Sequence, residues 1–147
     1  LTDVTGVQTC ALPILIGEFG GTAYASFAAL ELARLSYGRG EKAAARNHLQ
    51  WVTESAPDVS LKELARLRLG RLLLDMNELD ALKKLLNEPV AQAFAGEFAV
   101  LRGDLEHARG DADAARLAYQ DALLKGVEDE GLLRMKLVDV GGQFPSS

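Results

Sequence analysis

From Thr22 to Val140 apolar residues recur with the three-to-four-residue spacing of helices, broken at intervals by glycine, asparagine and proline. The first helix is predicted over about Thr22 to Tyr37, with Thr22 as N-cap. Its apolar residues Phe27, Leu30, Leu32, Ala33, Leu35 and Tyr37 cover more than one stripe, so two of its sides should be buried. The second runs from about Glu41 to Glu54 and stops before Pro57, which cannot continue a helix and disfavours helical geometry at Ala56. The third, about Ser60 to Met76, opens on the capping-box spacing of Ser60 and Glu63 and is rich in leucine. Asn77 tolerates left-handed geometry and leads into a short fourth helix, Glu78 to Asn87, closed by Pro89. The fifth is predicted over Val90 to Arg109, with a break marked at Gly96 and a stop at Gly110. The sixth covers Asp111 to Lys125. Gly131 to Val140 reads as a terminal helix built on Leu132, Leu133, Met135, Leu137 and Val138, and 141–147 as a frayed tail.

The turns align. Gly40-Glu41, Asn77-Glu78 and Gly110-Asp111 recur at intervals of 37 and 33 residues. Seven residues before each turn residue stands a small one: Ala33, Gly70 and Gly103. Five after it come Ala45, Leu82 and Ala115, and nine after it Leu49, Leu86 and Tyr119. Small residues at fixed offsets let the two helices of a hairpin approach closely, while the larger ones wedge against the next hairpin. This is the tetratricopeptide repeat (TPR) pattern, near its usual period of about 34 residues. It is degenerate, and Pro89 and Leu82 depart from it. The expected fold is therefore all-α: three TPR-like hairpins over 22–140, closed by a C-terminal helix that covers the last apolar face.

In TPR arrays the first helix of each hairpin lines an inner groove. Counted from the turns, the inward set is Phe27, Leu30, Arg34 and Tyr37 in hairpin one. Hairpin two offers Leu64, Leu67, Arg71 and Leu74, and hairpin three Glu97, Val100, Asp104 and His107. The leucines read first as core; Arg34, Arg71 and Tyr37 read as partner contacts, the arginines pairing with carboxylates or carbonyls. The partner-binding set is thus Phe27, Leu30, Arg34, Tyr37, Leu67, Arg71, Leu74 and His107. Trp51 is expected to pack near Leu61 and Leu64, and Lys62, Arg66, Arg68, Lys83 and Lys84 to form a solvated basic face.

Composition narrows the function classes. A chain of 147 residues, 48% hydrophobic and 25% charged, is one ordinary globular domain. A net charge of −5 argues against nucleic acid, which demands a clustered basic surface. Cys10, the single cysteine, excludes an internal disulfide and a cysteine-based zinc site. His48 and His107 lie in different hairpins; Asp104 and His107 share a face, but no second histidine joins them, so no metal is expected. Asp111 and Asp113 read as helix-start carboxylates, lacking the glycine and distal glutamate of a calcium loop. The carboxylates sit at helix starts and on solvent strips, and no Gly-x-Ser-x-Gly occurs; no enzyme and no cofactor are expected.

Residues 1–21 stand apart as a non-native or disordered segment. LTDVTGVQTCALPI, residues 1–14, resembles the translation of a sequencing-library adapter, which removes Cys10 as a candidate nucleophile. Leu12 to Ile16 is far shorter than the about 20 apolar residues of a membrane span, and Asp3 stands where a signal peptide is basic. Gly17, Gly20 and Gly21 could cradle a phosphate before a helix, but no strand precedes them and no Gly-Lys-Ser/Thr follows, so a flexible lead-in is the better reading.

The stretches TAYASFAALELARL, LARLRLGRLLLD and FAVLRGDLEHARGDADAARLAYQDAL, with the closing LLRMKLVDV, resemble the YfgM family, the ancillary subunits of the bacterial Sec translocon. The resemblance covers Thr22 to Val140. It implies a TPR-like domain on the periplasmic side of the inner membrane, carried on one N-terminal membrane helix, with the Sec translocon and a periplasmic chaperone as partners. The missing anchor departs from that pattern, and this chain alone is expected to be soluble. The expectation is a non-catalytic protein–protein interaction domain that helps hand secreted proteins to periplasmic chaperones. The rival is a soluble cytoplasmic TPR-like scaffold or assembly factor.

Overall fold

The computed structural model describes residues 21–142. All the regular structure among them is helical: α1 (Ala23–Gly38), α2 (Lys42–Ser55), α3 (Val59–Asp75), α4 (Leu79–Leu86), a 3-10 turn (Gln92–Phe94), α5 (Ala95–Ala108), α6 (Ala112–Lys125) and α7 (Glu130–Asp139). The chain divides into two compact units within α3, one reaching Leu72 and the other starting at Leu73. The adapter-like stretch, Cys10, Gly17 and Gly20 lie outside the described residues.

The three turns are built alike. Gly40, Asn77 and Gly110 have φ of 79°, 57° and 86°, the left-handed conformation that ends a helix in a Schellman motif. In each the next residue's N–H reaches five positions back: Glu41 to Ser36 O (2.9 Å), Glu78 to Leu73 O (2.8 Å) and Asp111 to Glu106 O (2.9 Å). Asn77 does this without being glycine, as asparagine tolerates that region best among side-chain-bearing residues. The second helix of each hairpin starts within two residues, so the connections are as short as antiparallel packing allows.

The residues at the repeating offsets are buried, and within each unit they form a seam. Ala33, Gly70 and Gly103 are buried, as are Ala45, Leu82 and Ala115 and, further along, Leu49, Leu86 and Tyr119. In the first unit α1 packs along α2. In the second α5 packs along α6 and α6 against α7, around Ala99, Ala115, Tyr119, Ala122, Leu133 and Leu137. Gly103 shows why size matters: a Cβ there would lie 2.3 Å from Tyr119 Cε1. Arg102 caps the carboxyl end of α4 by donating to Leu86 O (3.1 Å), tying α4 to α5.

Several local expectations are corrected. Thr22 does cap α1, accepting from the Ala25 N–H at 3.4 Å, but Ser60 lies inside α3 rather than at its cap. The helix starts one residue earlier, and Asp58 takes the role, accepting the Ser60 N–H at 2.6 Å with a carboxylate that also suits the positive helix end. Glu63 pairs with Arg66 instead, so Arg66 leaves the solvated basic face. The fifth helix does not begin at Val90 or break at Gly96. Ala91 is extended, the 3-10 turn follows, and Gly96 lies inside α5, where a Cβ would sit 1.8 Å from Gly126 O. That glycine serves a close approach of backbone to helix. The closing helix starts at Glu130, capped by Asp129, whose carboxylate accepts the Leu132 N–H (2.8 Å). Gly141 and Gly142 form an ordered turn rather than the start of a loose tail, the Gly142 N–H donating to Leu137 O at 2.8 Å.

Candidate interaction surface

On α1, Phe27, Leu30, Arg34 and Tyr37 fall on one stripe by helical spacing. The structure splits them. Leu30 is 5% exposed and belongs to the core, whereas Phe27 is 58% and Tyr37 49% exposed. Arg34 is exposed too, and its guanidinium is forked onto Glu31 one turn earlier: Nη2 donates to Oε1 at 2.6 Å and Nε to Oε2 at 3.1 Å. That hydrogen bond holds the Glu31 carboxyl below its usual range against a desolvation penalty, and the charges of Arg34 and of Arg68 on α3 add to the effect. The same bond pushes the Arg34 ionisation further up. On α3 Leu67 is 5% exposed, again core, while Arg68 and Arg71 are exposed one turn apart.

Hairpin three does not offer its inner stripe. The Glu97 carboxylate accepts the Glu128 N–H (3.0 Å), and Val100 packs against the Leu133–Leu137 cluster. Asp104 Oδ1 accepts both the Tyr119 hydroxyl (2.7 Å) and Lys136 Nζ (2.6 Å). His107 Nε2 stands 3.8 Å from Asp139 Oδ2. The stripe is thus occupied by the segment from Glu128 to Asp139, and His107, half-exposed at its end, belongs with the α7 attachment rather than with an open groove. Burial, then the bond to Asp104, raises the Tyr119 hydroxyl far above the ordinary tyrosine range. Leu74, in the second unit, is half-buried.

Sequence reasoning missed Glu31 as the residue that holds Arg34 on the exposed side of α1. The signal was present in the (i, i+3) spacing of Glu31 and Arg34. His48 is half-buried, which lowers its imidazole's affinity for a proton. Among the described residues no three His, Cys, Asp or Glu side chains gather as a metal site, and no helix is long and apolar enough to cross a membrane.

Comparison with known proteins agrees with the family resembled on sequence. An ancillary SecYEG translocon subunit of Haemophilus influenzae is 30% identical over 117 residues, 79% of this chain and 57% of the relative. Subunits of the same name match from Neisseria gonorrhoeae, at 35% identity over 63% of this chain and 46% of the relative, and from Escherichia coli, at 32% over 66% and 47%. The chain spans about half the length of these curated relatives. No solved structure matches. The tetratricopeptide repeat-like domain family matches residues 7–142, and with its three left-handed turns and close-packed seams the chain belongs to that family.

Proposed function

We propose that this chain is the non-catalytic interaction domain of an ancillary Sec translocon subunit. It works on the periplasmic side of the bacterial inner membrane, docks on the translocon and helps pass secreted proteins to a periplasmic chaperone. The observation that carries the reading is the exposed side of α1. Phe27 and Tyr37 keep about half of their surface in solvent on a helix whose other sides are buried, with the exposed Arg34 between them. Aromatic side chains and arginines are the residues that most often anchor partners. A helix already fixed by its hairpin gives up little freedom on docking. The names of the relatives supply the partner, and the TPR-like fold supports a role in binding rather than chemistry.

The test is binding of the purified chain to SecYEG in lipid nanodiscs. Saturable binding is expected, and Phe27→Ala with Tyr37→Ala should weaken it by at least roughly thirtyfold, as loss of an aromatic anchor worth about 2 kcal/mol or more does. Circular dichroism should stay unchanged, since both side chains lie outside the core. Wild-type protein that ignores SecYEG would refute translocon docking and favour the scaffold reading. Equal binding by the double variant would move the contact off this face.

A further inference from the structure

Independently of what the translocon offers α1, we infer that the exposed side of this helix pairs with the same side of a second copy of the chain, antiparallel about a two-fold axis. Tyr24, Phe27, Glu31, Arg34 and Gly38 follow one another at intervals of three, four, three and four residues, and all five are exposed. That alternation is the spacing with which one helix presents a narrow seam to another. Tyr24 and Phe27 leave apolar surface on the seam, and the half-buried Ala28 and Leu35 flank it on one side.

Charge sets the partner and the direction. In parallel pairing equivalent residues meet, so Glu31 would face Glu31 and Arg34 would face Arg34. In antiparallel pairing the two kinds of seam position alternate across the contact, and one register sets Glu31 of each copy opposite Arg34 of the other. The same register lays Phe27 over Gly38 of the second copy, where nothing lies within 4 Å of an added Cβ, and brings Ala28 to Leu35 along the flank. The seam is thus its own complement in charge and in size once turned end for end. Arg34 keeps its partner within the helix. Its fork on Glu31 uses Nε and Nη2, and a guanidinium carries five N–H donors, so the Nη1 side serves the second carboxylate. One helix from each copy, about 24 Å long, makes an interface below about 1,200 Å², so the association is a weak one. It covers Phe27, so only the dissociated chain presents that side chain to another partner.

Sedimentation equilibrium of the full chain, from about 10 to about 500 µM and without SecYEG, tests this, and a monomer–dimer equilibrium is expected. Glu31→Arg alone, or Arg34→Glu alone, sets like charges across the seam and should weaken association at least roughly tenfold. An equimolar mixture of these two variants should associate at least roughly tenfold more tightly than either by itself, because every pair across the seam is then of opposite sign. Glu31→Arg and Arg34→Glu in one chain keep the pair within the helix as well, and that double variant should dimerise like wild type. It keeps the proposal testable should a single reversal fold poorly, although both side chains lie mostly in solvent and circular dichroism should be unchanged throughout. Wild-type chain that stays monomeric over the whole range would overturn the proposal. Dimerisation that survives both single reversals would place the contact away from α1 and overturn it too. A mixture that associates no better than its components would remove the antiparallel register with the same result. Since SecYEG is absent, none of these outcomes depends on translocon docking.

Discussion

Gly103→Ala is the smallest change that tests how the hairpin seam works. A Cβ at that position would lie 2.3 and 2.4 Å from Tyr119 Cε1 and Cδ1 and 2.9 Å from Cζ. Ordinary carbon–carbon contact is about 3.5–4.0 Å, so the ring must withdraw by about 1.2 Å or the two helices must part by as much. Tyr119 is 2% exposed and packed among Ala99, Ala115, Ala122 and Leu133, so it has no room to withdraw. Overpacking of this kind costs about 1–3 kcal/mol. The shift also strains the 2.7 Å bond from the hydroxyl to Asp104, and a lost bond to a charged acceptor adds about 1.5–3 kcal/mol. Against this, alanine is favoured over glycine inside a helix by about 1 kcal/mol. The net expectation is a loss of about 1.5–5 kcal/mol, read from urea unfolding followed by circular dichroism. Hairpin one supplies the rescue. It places Ala33 and Leu49 at the offsets of Gly103 and Tyr119, a larger residue facing a smaller one. Gly103→Ala combined with Tyr119→Leu copies that pair. The double variant should be more stable than the sum of the two single losses by at least about 1 kcal/mol. Additive losses, or a single Gly103→Ala within about 0.5 kcal/mol of wild type, would refute the seam argument.

Other consequences are open to measurement. Gly96→Ala drives a Cβ to 1.8 Å from Gly126 O, a backbone atom with no rotamer to escape into, and should cost more than Gly103→Ala in the same urea assay. Gly38→Ala meets nothing within 4 Å and should be neutral or stabilising by up to about 1 kcal/mol, so a loss there would show that the helix end is not as open as described. Ala45→Arg or Ala115→Arg forces a long charged side chain into positions 1% and 0% exposed and should abolish the cooperative melt. Because Tyr119 ionises less readily folded than unfolded, its contribution to stability is complete below about pH 10 and is lost as pH rises toward its folded value. One tyrosine's share of the ultraviolet ionisation signal should therefore appear only with unfolding, and its appearance in the native protein would contradict the burial. His48 carries the opposite sign: its lowered folded pKa makes stability fall as pH drops below about 6.5, a trend that His48→Gln should flatten.

What could be read from the sequence was whatever one residue type enforces by itself. Left-handed turns need glycine or asparagine, and close seams need alanine or glycine, so Gly40, Asn77, Gly110 and the small residues seven positions upstream marked the hairpins unaided. Competition between similar signals was less legible. Aspartate and serine are both good caps, and the Ser60–Glu63 spacing pointed to Ser60, whereas Asp58 takes the role and Glu63 pairs with Arg66. The late start of α5 was hidden in Gln92-Ala93-Phe94, residues without a helix breaker, where the constraint is Gly96 lying against Gly126, 30 positions on. The inner stripe of hairpin three was unreadable for the same reason. Asp104 meets Lys136 across 32 residues, and no periodicity announces that pairing.

The closing helix shows that the turn and the seam are separate inventions. Gly141 has φ 78°, its N–H donates to Val138 O at 2.9 Å, and the Gly142 N–H reaches Leu137 O, the same motif that links the helices of each hairpin. Seven positions before it, where the other first helices carry Ala33, Gly70 or Gly103, stands Arg134. It is exposed and ion-paired with Glu130, which sits a further turn back on the same face. A second helix laid along that face would have to bury both charges or push past the arginine, and either costs more than the packing would return. On its opposite side α7 keeps Leu133 and Leu137 in the core and lends Lys136 to Asp104. The helix is therefore apolar toward the hairpin it covers, while on its outer side the Arg134–Glu130 pair shares the surface with the exposed Leu132, Met135 and Val138, so that any helix laid there would have to desolvate the charges to reach the apolar residues.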